Sequence, residues 1–391
     1  DAGDAMRARF VILANGILTT PRLARISGME TFAGKSFHTS RWDYTYDLTS
    51  KRVGIIGTGA TAVQVVPEIA KVVSDLYVFQ RTPSTIDVRD QRATTQEEID
   101  TWSREPGWSK ARRERLATIS SGRTALQGND DFLAGRVTQL KQRKVYEKQL
   151  SPEEMIQAQL NTNFRIMEQI RARVDAVVKD PATAAALKPY YPYGCKRPTF
   201  HDEYLPTFNL PHVHLVDTAP LGVSRITPKG VFHNGIEYEL DALIYATGFE
   251  WMATGSFNMI IGREGQTLRD KWRDGGVRTF LGMHSQGFPN LLIISGPQGG
   301  GGQFNFTRGL DGHTDYVVWV LQLMKLRGAT TIDVRKESED AYAQHCREAD
   351  LMTAPLRDCL SYYNGDGKAE PGSLAYYGGP AKWHSLRTEA Q

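Results

Sequence analysis

Apolar residues in this chain fall in short runs that end on glycine, and the clearest is Val53-Gly54-Ile55-Ile56. A run without polar alternation predicts a strand buried on both faces, as in a parallel sheet. Gly57-Thr58-Gly59-Ala60-Thr61-Ala62 follows at once, and Val63, Val65, Val66, Ile69 and Ala70 then recur at helical spacing. Further runs at Arg9–Gly16, Leu76–Gln80, Phe208–Asp217, Glu237–Gly248 and Phe288–Pro297 predict more strands leading into turns. Residues 89–189 change character: Thr95–Trp102, Phe132–Leu150 and Pro152–Lys179 are polar, charged and helically periodic. Ser151-Pro152-Glu153-Glu154 supplies an N-cap, a first-turn proline and acids, which together start a helix. Asp180-Pro181 starts a last short one. His313–Leu326 predicts an amphipathic helix with Tyr316, Val317, Val320, Leu321 and Met324 on its core face. Strands alternating with helices make the class α/β.

The chain has 391 residues, room for two or three domains, and 36 glycines fit the many turns. A formal charge of +3 is too small to argue for nucleic acid or an acidic membrane surface. No apolar run reaches the roughly 20 residues that span a bilayer, and the start carries no secretory signal. Cys195, Cys346 and Cys359 lie far apart without CxxC pairing. That argues against a disulfide framework or a metal site and suits a reducing, cytoplasmic location.

The stretch from 53 to 70 also carries the first candidate chemistry. Strand, glycine turn and helix form the context a dinucleotide fingerprint requires. Gly57 makes the tight turn, Gly59 lets a pyrophosphate approach the backbone, and Ala62 permits close helix–strand packing. The helix N-terminus, at Ala60 and Thr61, offers free N–H groups and a positive dipole end. The next strand ends in Arg81-Thr82, where an NAD-specific site would place an acid. A guanidinium fork there suits the 2′-phosphate of NADP.

Immediately upstream, Phe32-Ala-Gly34-Lys-Ser-Phe-His38-Thr-Ser-Arg-Trp42-Asp43 matches FxGxxxHxxxW(P/D). In this the chain resembles the Baeyer–Villiger monooxygenases, flavoenzymes that use NADPH and oxygen to turn ketones into esters or lactones. The resemblance implies two interrupted Rossmann-like dinucleotide-binding domains with a helical insertion. It places the fingerprint linker (32–50) between an FAD domain and an NADP domain, with His38 at the hinge rather than in the chemistry. The expected boundaries are 1–31 for a remnant of the FAD domain, 51–88 with 193–244 for the NADP domain, and 89–192 for the insertion. Residues 245–391 complete the FAD domain and carry a substrate loop.

The resemblance also assigns residues. Lys196-Arg197, after Tyr190-Tyr-Pro-Tyr-Gly-Cys, matches the family's basic pair. Lys196 would contact the NADP phosphate. Arg197 would lie over flavin and nicotinamide, a permanent cation beside the negative charge that builds up during oxygen transfer. Ser361-Tyr362-Tyr-Asn-Gly365 resembles the substrate loop, with Tyr362 where tryptophan is common. The glycine loop at 299–302 can pass close to a planar cofactor. His212 and His214, spaced i,i+2 on a strand, have no third ligand near. No GxGxxG precedes Arg9, so the first domain reads as lacking on the order of 100 residues or more. The expectation for these residues alone is retained NADPH binding, little FAD and no oxygenase turnover.

The reading is therefore an FAD- and NADPH-dependent monooxygenase inserting one oxygen atom beside a ketone carbonyl, with ketone and molecular oxygen as small-molecule partners. Large cyclic or steroid-like ketones suit the open glycine loop. The alternatives are a flavin monooxygenase oxidising nitrogen or sulfur, and an NADP-binding module without turnover.

Overall fold

The computed structural model describes residues 3–120, 151–250, 255–299, 306–353, 359–369, 372–373, 375–376 and 380–390. The chain forms two compact units, Pro21–Gly248 and Asp1–Thr20 with Phe249–Gln391. The first strand, β1 (Val11–Leu13), belongs to the second of these.

The unit Pro21–Gly248 is organised by a five-stranded parallel sheet. Its strands are β2 (Lys35–His38), β3 (Arg52–Ile56), β4 (Asp75–Gln80), β7 (Val213–Asp217) and β11 (Ala242–Tyr245), in the order β2-β11-β3-β4-β7. Register pairs Ile55 of β3 with Val78 of β4 and with Ile244 of β11. Val53, Ile55, Val78 and Ile244 are fully buried, as expected of parallel strands covered on both faces. One face packs against the helix Ala60–Ile69 through Ala62, Val63 and Val66. The other is covered by an antiparallel sheet of β8 (Arg225–Thr227), β9 (Gly230–His233) and β10 (Ile236–Glu239), whose Ile226 and Val231 meet Ile56, Phe79 and Leu243. The alternation along β3 and β11 thus divides their side chains between two cores.

The helical insertion is bracketed by a short parallel ladder, β5 (Ile86–Asp87) with β6 (Thr199–Phe200). Helices run over Gln96–Ser103, Trp108–Ser120, Pro152–Val177 and Pro181–Ala186. Thr95 and Ser151 each form a capping box, with Glu98 and Glu154, and the Asp180 side chain accepts from Thr183 N–H. The run Phe132–Leu150 lies outside the described residues. Arg173 donates to the carbonyls of Ile86 (2.9 Å) and His201 (3.1 Å), and Val174 and Val178 are buried in the sheet's core. These contacts fix the long helix to the ladder.

In the second unit β1 pairs in parallel with β12 (Leu291–Ile293). Helices over Phe306–Leu326, Lys336–Thr353 and Pro380–Ala390 build its core with Leu292. The first of these begins at Phe306, earlier than the expected His313. Tyr316, Val317, Val320 and Met324 are buried as the spacing predicts, and Leu321 packs at the edge. Gln298 is buried in the turn after β12. It accepts from Thr279 N–H (3.0 Å) and donates to the Gly372 carbonyl (2.8 Å). The α/β class and parallel sheets expected from the sequence are present.

Cys346 is a buried free thiol, and burial pushes its pKa up to about 12.

Candidate functional site

The glycine turn sits at the C-terminal end of β3. Gly57 has φ +111°, and a side chain there would bring Cβ within 2.5 Å of the Ala246 carbonyl. Conformation and space both require glycine. Gly59 differs. It caps the helix Ala60–Ile69 in an ordinary extended conformation (φ −71°), and an added Cβ would meet nothing within 4 Å. Its outer face is open where a phosphate would approach the first-turn N–H groups of Ala60 and Thr61. Ala62 is fully buried, so the helix lies close on the sheet.

A second wall comes from the turn after β4. Thr58 Oγ1 donates to the Thr82 carbonyl at 2.6 Å, and Ser84 Oγ donates to the Thr58 carbonyl. These bonds clasp the glycine turn to residues 82–84 and hold Arg81 beside it. Arg81 is exposed, and its Cδ lies 3.7 Å from where a Cβ on Gly222, in the loop after β7, would sit. That loop is tied to the end of β4 by Thr218 N–H donating to the Gln80 carbonyl at 2.7 Å. Lys196 reaches the same turn indirectly. Its Nζ lies 5.5 Å from the ring of Tyr191, whose hydroxyl donates to the Pro83 carbonyl at 2.9 Å. Arg197 is exposed.

The fingerprint segment is more than a connector, because β2 within it is the edge strand of the parallel sheet. Gly34 must be small: an added Cβ would lie 2.7 Å from the Asp241 carbonyl and 2.6 Å from the Phe32 ring. Phe32 packs with the antiparallel sheet's core, and Trp42 meets Phe37 edge-to-face at 5.0 Å. Asp43 pairs with Lys35 (2.5 Å) and accepts from Thr45 N–H (2.9 Å), which holds its pKa well below the carboxylate range. His38 is buried; its Nδ1 accepts from Ser40 N–H at 3.1 Å, so in the neutral ring the proton is on Nε2. Burial lowers its pKa, opposed by a hydrogen bond to the backbone of Gly248, the residue at which the unit ends. A depression of about 320 Å³ opens beside Trp42, Tyr44 and Val65; none of the candidate cofactor residues lines it.

Other candidates have structural partners. His212 hydrogen-bonds the Ala70 carbonyl at 2.9 Å, and His214 stacks on Tyr77 at 4.8 Å. No group of metal-ligating side chains occurs among the described residues. Tyr362 opens a short 3-10 helix over Tyr362–Gly367, capped by Ser361. Of the 299–302 loop, residues 300–302 lie outside the described residues. Sequence reasoning missed Tyr191 and the Thr58–Thr82–Ser84 clasp. No described helix is long and apolar enough to cross a membrane.

No family model matches the chain. Among curated proteins it is 42% identical over 367 residues to the Baeyer–Villiger monooxygenase ATR8 of Stachybotrys chlorohalonatus, a match covering 89% of this chain and 58% of that one. The chain thus spans less than two thirds of that relative's length. The solved polycyclic ketone monooxygenase of Thermothelomyces thermophila superposes with a TM-score of 0.84 at 36% identity, covering all of this chain and 68% of that one. OTEMO in complex with FAD and NADP gives 0.77 at 28% identity, covering 98% and 73%.

Proposed function

Because this chain belongs to the Baeyer–Villiger monooxygenases, we propose that it serves an FAD- and NADPH-dependent insertion of one oxygen atom beside the carbonyl of a ketone, giving an ester or lactone. The observation that carries the cofactor half is the turn at Gly57–Ala62. It has an open face at Gly59, an exposed arginine clasped beside it at Arg81, and Lys196 tied to the same turn through Tyr191. These residues fit NADP: the turn and helix N-terminus take the pyrophosphate, and the two cations take the 2′-phosphate. Bound there, the nucleotide supplies hydride. The chain's own part is to fix the phosphates and present the nicotinamide end toward the C-terminal edge of the sheet. No second turn of this kind opens a helix among the described residues. FAD therefore enters by kinship with relatives such as OTEMO, and no step is derived through it.

Arg197 is the candidate catalytic residue. A guanidinium keeps its charge at any working pH and stabilises negative charge gathering on oxygen during transfer. Polycyclic ketones are the substrate class this reading favours, supported by the kinship with the polycyclic ketone monooxygenase. Molecular oxygen is the co-substrate.

The test is product analysis on the protein supplied with FAD, NADPH and either a polycyclic ketone or a sulfide. The expected product is an ester or lactone one oxygen heavier than the ketone. Arg197→Ala should lower that rate by on the order of 10²–10³ while NADPH affinity stays near native. Sulfoxide formation with ketones untouched would assign the chain to heteroatom oxidation instead.

A further inference from the structure

Arg81 and Lys196 lie on opposite sides of the helical insertion, so their meeting on one phosphate needs a device. Three tyrosines precede Lys196. Tyr190 is 77% exposed with its ring under Arg171. Tyr193 is pinned through its backbone, which donates to Asn163 Oδ1 (2.7 Å) and accepts from Asn163 Nδ2 (2.9 Å). Tyr191 bonds the turn beside Arg81. Its hydroxyl donates to the carbonyl of Pro83, two residues past Arg81, while its ring face carries the Lys196 ammonium at 5.5 Å. The same turn is closed on the glycine loop by Thr58 and Ser84. One side chain thus connects the phosphate cradle, the arginine turn and the lysine. We propose that Tyr191 is a positioning residue for the 2′-phosphate, holding Lys196 against the Arg81 turn and so setting the preference for NADPH over NADH.

The chemistry is consistent with that role. A ring face attracts a nearby ammonium without neutralising its charge. Burial raises the Tyr191 pKa, so its hydroxyl remains a donor at any assay pH. The inference rests on the NADP reading of Arg81 and Lys196 and adds what couples them.

The experiment titrates NADPH and NADH against the native chain, Tyr191→Phe, Tyr191→Leu, Lys196→Ala and the double variant Tyr191→Phe/Lys196→Ala, with melting temperature recorded for each. Tyr191→Phe keeps the ring and loses the bond to Pro83; it should weaken NADPH about three- to tenfold and leave NADH within about twofold. Tyr191→Leu also loses the ring and should weaken NADPH by about tenfold or more. If the leucine variant fails to fold, the phenylalanine variant decides. In the Lys196→Ala background Tyr191→Phe should add nothing, because its effect passes through the lysine. Equal loss for both nucleotides, or a full additional loss in the double variant, would overturn the inference and leave the NADP reading standing. Unchanged NADPH affinity in Tyr191→Phe would do the same. Equal native affinity for NADPH and NADH would overturn the NADP reading itself, and the inference with it.

Discussion

Gly57 and Gly59 belong to one motif, yet the structure asks different things of them. At Gly57 the backbone is left-handed and a neighbouring carbonyl fills the space a Cβ would take. At Gly59 the backbone suits any residue and the space is empty. Gly57→Ala should therefore destabilise the unit by roughly 1–3 kcal/mol or more and lose nucleotide binding as a consequence. Gly59→Ala should keep a near-native melting temperature and still bind NADPH poorly, since its methyl occupies the phosphate's approach. Melting curves paired with NADPH titration separate the two. A Gly59→Ala protein that bound NADPH normally would mean the phosphates lie elsewhere.

At the scale of elements, the fingerprint segment shows how a strap becomes part of a sheet. β2 joins β11 along four paired residues, and Gly34 at its start lets the backbone pass close over Asp241. Gly34→Ala pushes Cβ into that carbonyl and should cost about 1–3 kcal/mol, seen as a lowered melting temperature. A native melting temperature in that variant would show that the strap is not held there. Much of this level was legible in the sequence. The capping boxes at Thr95 and Ser151, the turn after β3 and the core face around Val320 follow local rules of periodicity and capping. Less local features were not. Phe32 to Asp43 read as a connector because four strand residues between turns carry too little periodicity to call an edge strand. Tyr191 could not be chosen among Tyr190, Tyr191 and Tyr193, since its distinction is a bond to Pro83 across the whole insertion. The start of the helix at Phe306 was also hidden, because glycines and polar residues before His313 blur the apolar spacing.

For the whole molecule, the second unit stores a pH dependence in two buried histidines. Burial lowers the pKa of His284 to about 4, and burial with the nearby Arg387 does the same for His313. An unfolded histidine titrates near 6.5. Both are neutral in the folded and unfolded states above that value, so their contribution is fully present there. As pH falls from 6.5 toward 4 only the unfolded chain takes up the protons, and stability declines. The slope is up to about 1.4 kcal/mol per pH unit for each histidine, or on the order of 3 kcal/mol each by pH 4. Melting temperatures between pH 7 and 4.5 should fall, and His313→Gln should flatten the profile. A melting temperature that rose on acidification would contradict the burial of these rings.

We propose that Gly57–Ala62, Arg81 and Lys196 form a site for a 2′-phosphorylated dinucleotide. Calorimetric titration of NADPH and NADH into the native chain and into Arg81→Ala tests it most directly. NADPH should bind the native chain at least tenfold more tightly than NADH, since each charge-assisted phosphate contact contributes about 1.5–3 kcal/mol. Arg81→Ala should remove most of that difference while NADH affinity holds. Equal affinities in the native chain, or a preference untouched by losing Arg81, would contradict it.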